Sequence, residues 1–273
     1  YLVWFEVIPP FKNATIENPT PFMSHISYNP ILAFAAYLVL HRILIIRDLG
    51  KLKLYFYIFF AFSMSVNMFI TGGRAGQVMF FAMLIILIYQ IFHFAKIKAF
   101  FLSFFLIPLA FLIAYQSSTI FNIRVNDAYH NIARYVDHKD SPVGLRIAFT
   151  INSWELIKDN PLIGVGTGDF PNEYKKINEI NTPKLPNSEN PHNMYVLILA
   201  QLGLLGLVPF LSIFYYQIKL SFKSSSRFIR DTGITLPLLF LLIMWSDSYL
   251  LGHFTSLVFI FFSSFLYKDF ENP

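Results

Sequence analysis

Seven apolar runs, at roughly 31–46, 54–71, 75–95, 99–118, 193–218, 232–250 and 252–267, constrain this chain more than any other feature. Each is near the ~20 residues that carry a helix across about 30 Å of hydrocarbon, the last being the shortest. Backbone polar groups find no water at that depth, so each segment must satisfy its own as a helix. The sequence therefore predicts an all-α polytopic membrane protein with about seven transmembrane helices and one large outer loop bearing amphipathic helices. Composition agrees: 55% hydrophobic residues, 14% charged, and 32 Phe with 15 Tyr exceed what one soluble core holds.

Charge sets the expected orientation. Arg42, Arg47, Lys51 and Lys53 follow the first run, and Lys96 and Lys98 the third. Lys219, Lys223, Arg227 and Arg230 follow the fifth, and Lys268 the last. These connections alternate, which places them in the cytoplasm by the positive-inside rule. The net charge of +5 is then a membrane signature, not one of nucleic-acid binding. With no cysteine there is neither a disulfide framework nor a thiolate metal site. The expected domains are an outer N-terminal loop with four spans over 1–118, a large outer loop over 119–192 (both periplasmic under the resemblance given below), and three spans over 193–273. The first 29 residues read as a loop, punctuated by Pro9, Pro10, Pro19 and Pro21, with Pro30 next. YLVWFEVIPP at the start reads as the end of an earlier helix, so the chain is expected to be the C-terminal part of a longer protein.

Within the polar insertion, Ser141-Pro142 reads as an N-cap and first helical residue, predicting a helix over about 142–159. Leu145, Ile147, Phe149, Ile151, Trp154 and Ile157 recur at roughly helical spacing, which suits a helix on the membrane–water boundary with Trp154 as anchor. At the far end, PNSENPHNMYVLILAQLGLLGL passes at once from polar to apolar. Asn190 reads as an N-cap and Pro191 as the first helical residue, which puts His192 in the first turn. There it is either a proton acceptor beside an anion-binding helix end or a cap residue without chemistry.

Other candidates divide in the same way. Arg74, in the short break FITGGRAGQVMF, either binds an anion or snorkels to the interface. Arg146, one turn into the boundary helix, faces a cavity or lipid headgroups. Gly164, Gly166 and Gly168 alternate as in a backbone nest for phosphate, yet alone they make only a turn. Asp247 and His253 bracket the last outer turn and His25 lies in the first loop. No H-E-x-x-H or D-x-D spacing joins them, so they read as structural or substrate-contacting, with no metal expected.

TGGRAG at 71–76, GLRIAFTINSWELIKDNPLIGVGTGDF at 144–170 and PHNMYVLILAQLGLLGL at 191–207 together resemble motifs of the O-antigen ligase and O-antigen polymerase family. The similarity covers about 55–220. The chain departs at Gly73, where a serine usually precedes the arginine, and at Gln201, where many members carry glutamate. The resemblance implies a glycosyltransferase in the bacterial inner membrane with its active site facing the periplasm. It implies an undecaprenyl-pyrophosphate-linked glycan donor, a lipid A–core acceptor, membrane lipids as surroundings, no cofactor and no nucleic acid. His192, Arg146 and Arg74 would be catalytic, and Gly164, Gly166 and Asn193 would contact substrate. The transfer is expected to be that of a ligase, inverting and metal-independent, with a polymerase joining repeat units or a protein O-oligosaccharyltransferase as the alternatives; a flippase for the lipid-linked glycan is the reading from another class. Against it, the spans over 31–118 are expected to lack paired intramembrane charges.

Overall fold

The computed structural model of the chain describes residues 1–12, 14–15, 20–47, 49–133 and 139–268. Pro19 lies outside them. Among the described residues the architecture is helical, with no strand. The helices are α1 (His25–His41, continued by a π turn over Arg42–Ile46), α2 (Lys51–Ile70), α3 (Arg74–Ile91), α4 (Lys96–Ser117) and α5 (Thr119–Ala133). They continue as α6 (Pro142–Asp159), α7 (Phe170–Asn181), α8 (Met194–Ser221), α9 (Arg227–Ile243) and α10 (His253–Leu266).

Five helical stretches are long and apolar enough to cross a membrane: His25–Ile46, α2, α3, α4 and α8. The remaining two expected runs form shorter helices, since α9 has 17 residues and α10 has 14. At 1.5 Å per residue, α10 reaches only about 21 Å. The run expected over 232–250 ends early because Trp245–Gly252 folds into successive turns around Asp247. Another difference follows α4. A helix, α5, starts directly after the bend at Ser118, where the sequence read the beginning of a loop.

The chain forms two compact units. The first comprises 1–125, 217–239 and 254–273. In it α1 packs against α2 and α3, and α3 against α4. Phe34, Tyr37, Met68, Met83 and Leu236 fill its interior. Small residues let α1 and α3 approach closely, as is usual between membrane helices. A Cβ on Gly76 would lie 2.2 Å from Asn29 Cβ, and one on Gly73 would lie 2.7 Å from Asn29 Nδ2. That explains the missing serine at position 73: its side chain would collide with the asparagine docked there. Asn29 Oδ1 accepts a hydrogen bond from Thr71 Oγ1 at 2.7 Å, which locks the junction.

The same unit also holds a buried polar cluster. His41, fully buried at the end of α1, lies 3.0 Å from Asp231 on α9. Arg227 and Arg230 approach that carboxylate at 3.5 and 3.6 Å. Gln90, on α3, donates to the Asp231 carbonyl and to Thr235 Oγ1, each at 3.0 Å.

The second unit comprises 126–216 and 240–253. α6 has the predicted bounds. Ser141 Oγ accepts from the Gly144 N–H at 3.1 Å, Pro142 opens the helix and Pro161 follows its end. Its inner face, Ala148, Phe149, Leu156 and Ile157, is buried, and the helix packs against α7, while Ile151 and Trp154 are exposed. Asn152 donates to Thr182 Oγ1 at 2.7 Å, and Asn178 donates to the Leu185 carbonyl at 3.0 Å. These bonds fasten the loop that leads to His192.

Candidate active site

Three polar side chains from distant parts of the sequence meet in the second unit. His192 precedes α8, Arg146 lies on α6, and Asp247 lies in the turn after α9. His192 Nδ1 is 3.0 Å from Asp247 Oδ1, within hydrogen-bond range. Arg146 Nη2 is 3.7 Å from Asp247 Oδ2, an ion pair rather than a tight hydrogen bond. The Ser248 N–H donates to Asp247 Oδ1 at 2.8 Å. Phe149, three residues beyond Arg146 on α6, stacks on the imidazole with ring centroids 5.9 Å apart and planes at 24°. Tyr174 meets Phe149 edge-on and holds that ring in turn.

The loop geometry differs from the one expected. His192 is outside the helix: α8 begins at Met194 and its cap is Asn193, not Asn190. Asn193 Oδ1 accepts from the Tyr195 and Val196 N–H groups at 3.0 and 3.2 Å. Asn190 Oδ1 accepts from the His192 N–H at 2.8 Å, an Asx-turn that stops the helix from starting there. His192 itself has φ +53°, an uncommon value for a residue other than glycine and a form of strain that concentrates at functional sites. Its ring is therefore held by stacking and by a carboxylate, not by a helix terminus.

The remaining expected site residues fall as follows. Asn193, 7% exposed, uses its amide N–H on the Trp245 carbonyl at 3.2 Å, so both ends of its side chain are engaged within the protein. It ties the histidine loop to the Asp247 turn. Gly164 and Gly166 direct their N–H groups at the Asn160 and Gln201 carbonyls, 2.9 and 3.0 Å away. Both N–H groups are thus engaged within the protein, that of Gly166 at a backbone junction with α8. Arg74 belongs to the first unit, as the first residue of α3 behind Gly73. His25 and His253 open α1 and α10.

Asp247 is the residue that sequence reading undervalued. The available signal was a lone carboxylate in the outer turn expected to share a face with His192, but no spacing rule links positions 55 residues apart. Burial pushes its carboxyl up, while the His192 hydrogen bond and charge, the Ser248 N–H and Arg146 outweigh that and hold it below the ordinary value. A carboxylate on Nδ1 fixes the imidazole so that, in its neutral form, the proton sits on Nδ1 and the lone pair on Nε2. His192 and Arg146 keep 34% and 36% of their side chains exposed, enough to meet a ligand.

A family profile described as O-antigen ligase matches residues 59–211, more than half of the chain. The match includes Arg74, Arg146 and His192 and ends before Asp247. A comparison with curated proteins finds no match.

Proposed function

Because the chain belongs to the O-antigen ligase family, we propose that it is a membrane glycosyltransferase moving an O-antigen glycan from undecaprenyl pyrophosphate to lipid A–core. The observation that carries the mechanism is the His192–Asp247 pair at 3.0 Å with Arg146 beside it. Asp247 orients the imidazole, and His192 Nε2 takes the proton of the acceptor hydroxyl as that oxygen attacks the anomeric carbon. The bond from that carbon to the phosphate oxygen breaks and its electron pair leaves with the pyrophosphate. Attack opposite the leaving group inverts the anomeric centre. Arg146 suits the developing negative charge, since its guanidinium fork matches two phosphate oxygens, and charge neutralised in this way calls for no metal ion. Arg74, in the first unit, offers a further guanidinium fork for phosphate. The active site faces the periplasm of the inner membrane in this reading, with the lysine- and arginine-rich connections in the cytoplasm.

The test is a lipopolysaccharide gel from cells lacking the full-length protein, complemented with wild type or His192→Ala. Wild type should restore the long-chain ladder, and the variant, at equal expression, should leave unligated glycan on its carrier. A deletion that leaves core plus a single repeat would identify a polymerase instead. Capping unchanged in the variant would remove His192 from the chemistry.

A further inference from the structure

Between α6 and α7 the chain presents two bare aliphatic side chains, Leu162 and Ile163, 60% and 67% exposed. Their neighbours along the chain are polar. The Lys158–Glu155 ion pair lies one turn before, and Thr167 to Asp169 lie exposed just after. A loop tip in water gains nothing from such a pair, because apolar area stabilises only where water is removed from it.

The tip lies against α8, a helix long and apolar enough to cross a membrane. The Leu204 and Leu205 N–H groups of α8 donate to the Pro161 and Leu162 carbonyls at 2.9 and 3.1 Å. A Cβ on Gly203 would lie 2.2 Å from the Leu162 carbonyl carbon, so the two backbones touch. Before this contact α8 is enclosed by protein, with Met194, Leu197 and Ala200 at 5%, 2% and 0% exposure. After it, Leu205 and Val208 are 67% and 65% exposed. The bare tip therefore adjoins the bare face of a span.

Length sets the depth of the contact. α8 has 28 residues, about 42 Å, whereas the hydrocarbon layer is about 30 Å thick. An upright helix with the basic Lys219 at one boundary meets the other about 20 residues earlier, near Leu199. Gly203 and the tip then fall just inside the layer, and any tilt of α8 carries them deeper. The backbone at the tip suits a place without water. Pro161 has no N–H, its carbonyl and that of Leu162 are bonded to α8, and the Gly164 and Val165 N–H groups are paired as well.

We propose that the Leu162–Ile163 tip is a membrane anchor, seated among the acyl chains of the lipid bilayer beside the break in α8. α6 ends three residues before Leu162, so the anchor also fixes the depth of the helix that carries Arg146 and Phe149.

The test places a nitroxide on one introduced cysteine of the full-length protein in phosphatidylcholine bilayers, with cysteines outside residues 1–273 replaced by serine. Residues 1–273 contain none. Ile163→Cys and, separately, Leu162→Cys report the tip, and Val208→Cys reports the span. Lys176→Cys on α7, whose side chain is 67% exposed, reports water. At the tip, as at Val208, collisions with oxygen should exceed collisions with a polar nickel chelate. The nickel collision rate there should lie about tenfold or more below that at position 176, because hydrocarbon excludes polar complexes. Equal nickel rates at the tip and at position 176 would overturn the proposal by leaving the tip in water. Low rates with both reagents would overturn it by showing a polypeptide cover. All four side chains are exposed, so the exchanges spare the packing, and an unchanged helical circular dichroism spectrum verifies the fold. No glycan transfer is read, so the outcome is independent of the chemistry proposed above.

Discussion

At the scale of single residues, the site depends on how firmly one imidazole is aimed. Phe149 covers one face of His192, Asp247 receives Nδ1, and the Asx-turn at Asn190 sets the backbone. Asp247→Asn keeps the shape but presents an amide that stabilises no imidazolium. We expect kcat to fall roughly 10²–10⁴-fold, the range for impaired acid–base catalysis, with KM for the donor little changed. Steady-state transfer with purified protein would decide, and an unchanged kcat would make Asp247 purely structural. The same carboxylate sets a pH dependence. Its value lies below the ordinary 3.8, so its stabilisation is complete above that value and is lost as pH falls through the folded value. The difference in thermal stability between wild type and Asp247→Asn should shrink as the pH falls below about 4. A difference that already shrinks near neutrality would contradict the depressed carboxylate.

At the scale of elements, α8 and the segment after α6 form one device. Gly203, with φ +61° and ψ −160°, interrupts α8 in a conformation that excludes side chains. The carbonyls of Ala200 and Gln201 then accept from the Val165 and Gly166 N–H groups at 2.8 and 3.0 Å. The Leu204 and Leu205 N–H groups, also released by the break, donate to the Pro161 and Leu162 carbonyls at 2.9 and 3.1 Å. Four backbone bonds thus join PLIGVG to a broken helix and satisfy polar groups that the break frees. Gly164 must be glycine here: φ is +68° and a Cβ would lie 2.3 Å from the Gln201 carbonyl carbon. Gly164→Ala should lower stability by about 2–4 kcal/mol, combining left-handed backbone with overpacking. Chemical or thermal denaturation in detergent would measure it, and a loss under 1 kcal/mol (about the spread of ordinary surface changes) would mean that the junction yields easily.

At the scale of the whole molecule, the buried ionic cluster is the main departure from a simple apolar bundle. Asp231 is met by His41, Arg227 and Arg230, and two of the arginines expected to mark the cytoplasmic side also serve this internal carboxylate. Asp231→Ala would leave the fully buried His41 without its partner, while Arg227 and Arg230, 37% and 35% exposed, can turn to water, so the cost is that of one unsatisfied buried group, about 1–3 kcal/mol. The variant should therefore melt at a markedly lower temperature while folded molecules keep their transfer rate. An unchanged melting temperature would show that water reaches the cluster.

Hydropathy alone determined that this is a helical membrane protein, because the cost of unpaired backbone in hydrocarbon leaves little choice over such long apolar runs. Local chemistry also determined α6 to the residue, since Ser141, Pro142 and Pro161 act within one turn of the ends they set. The motifs pointed to Arg146 and His192. What they do depends on partners far along the chain, and only tertiary structure supplies those. Asp247 receives His192 because two separate turns are bonded together by Asn193 and Met194. The glycines at 164 and 166 read as a nest because their spacing shows where N–H groups can converge, but not which acceptor reaches them first. Asn190 lost the cap to Asn193 by the same logic. Both satisfy the local preference, and the helix starts where its neighbours at Met244 and Trp245 can bind it.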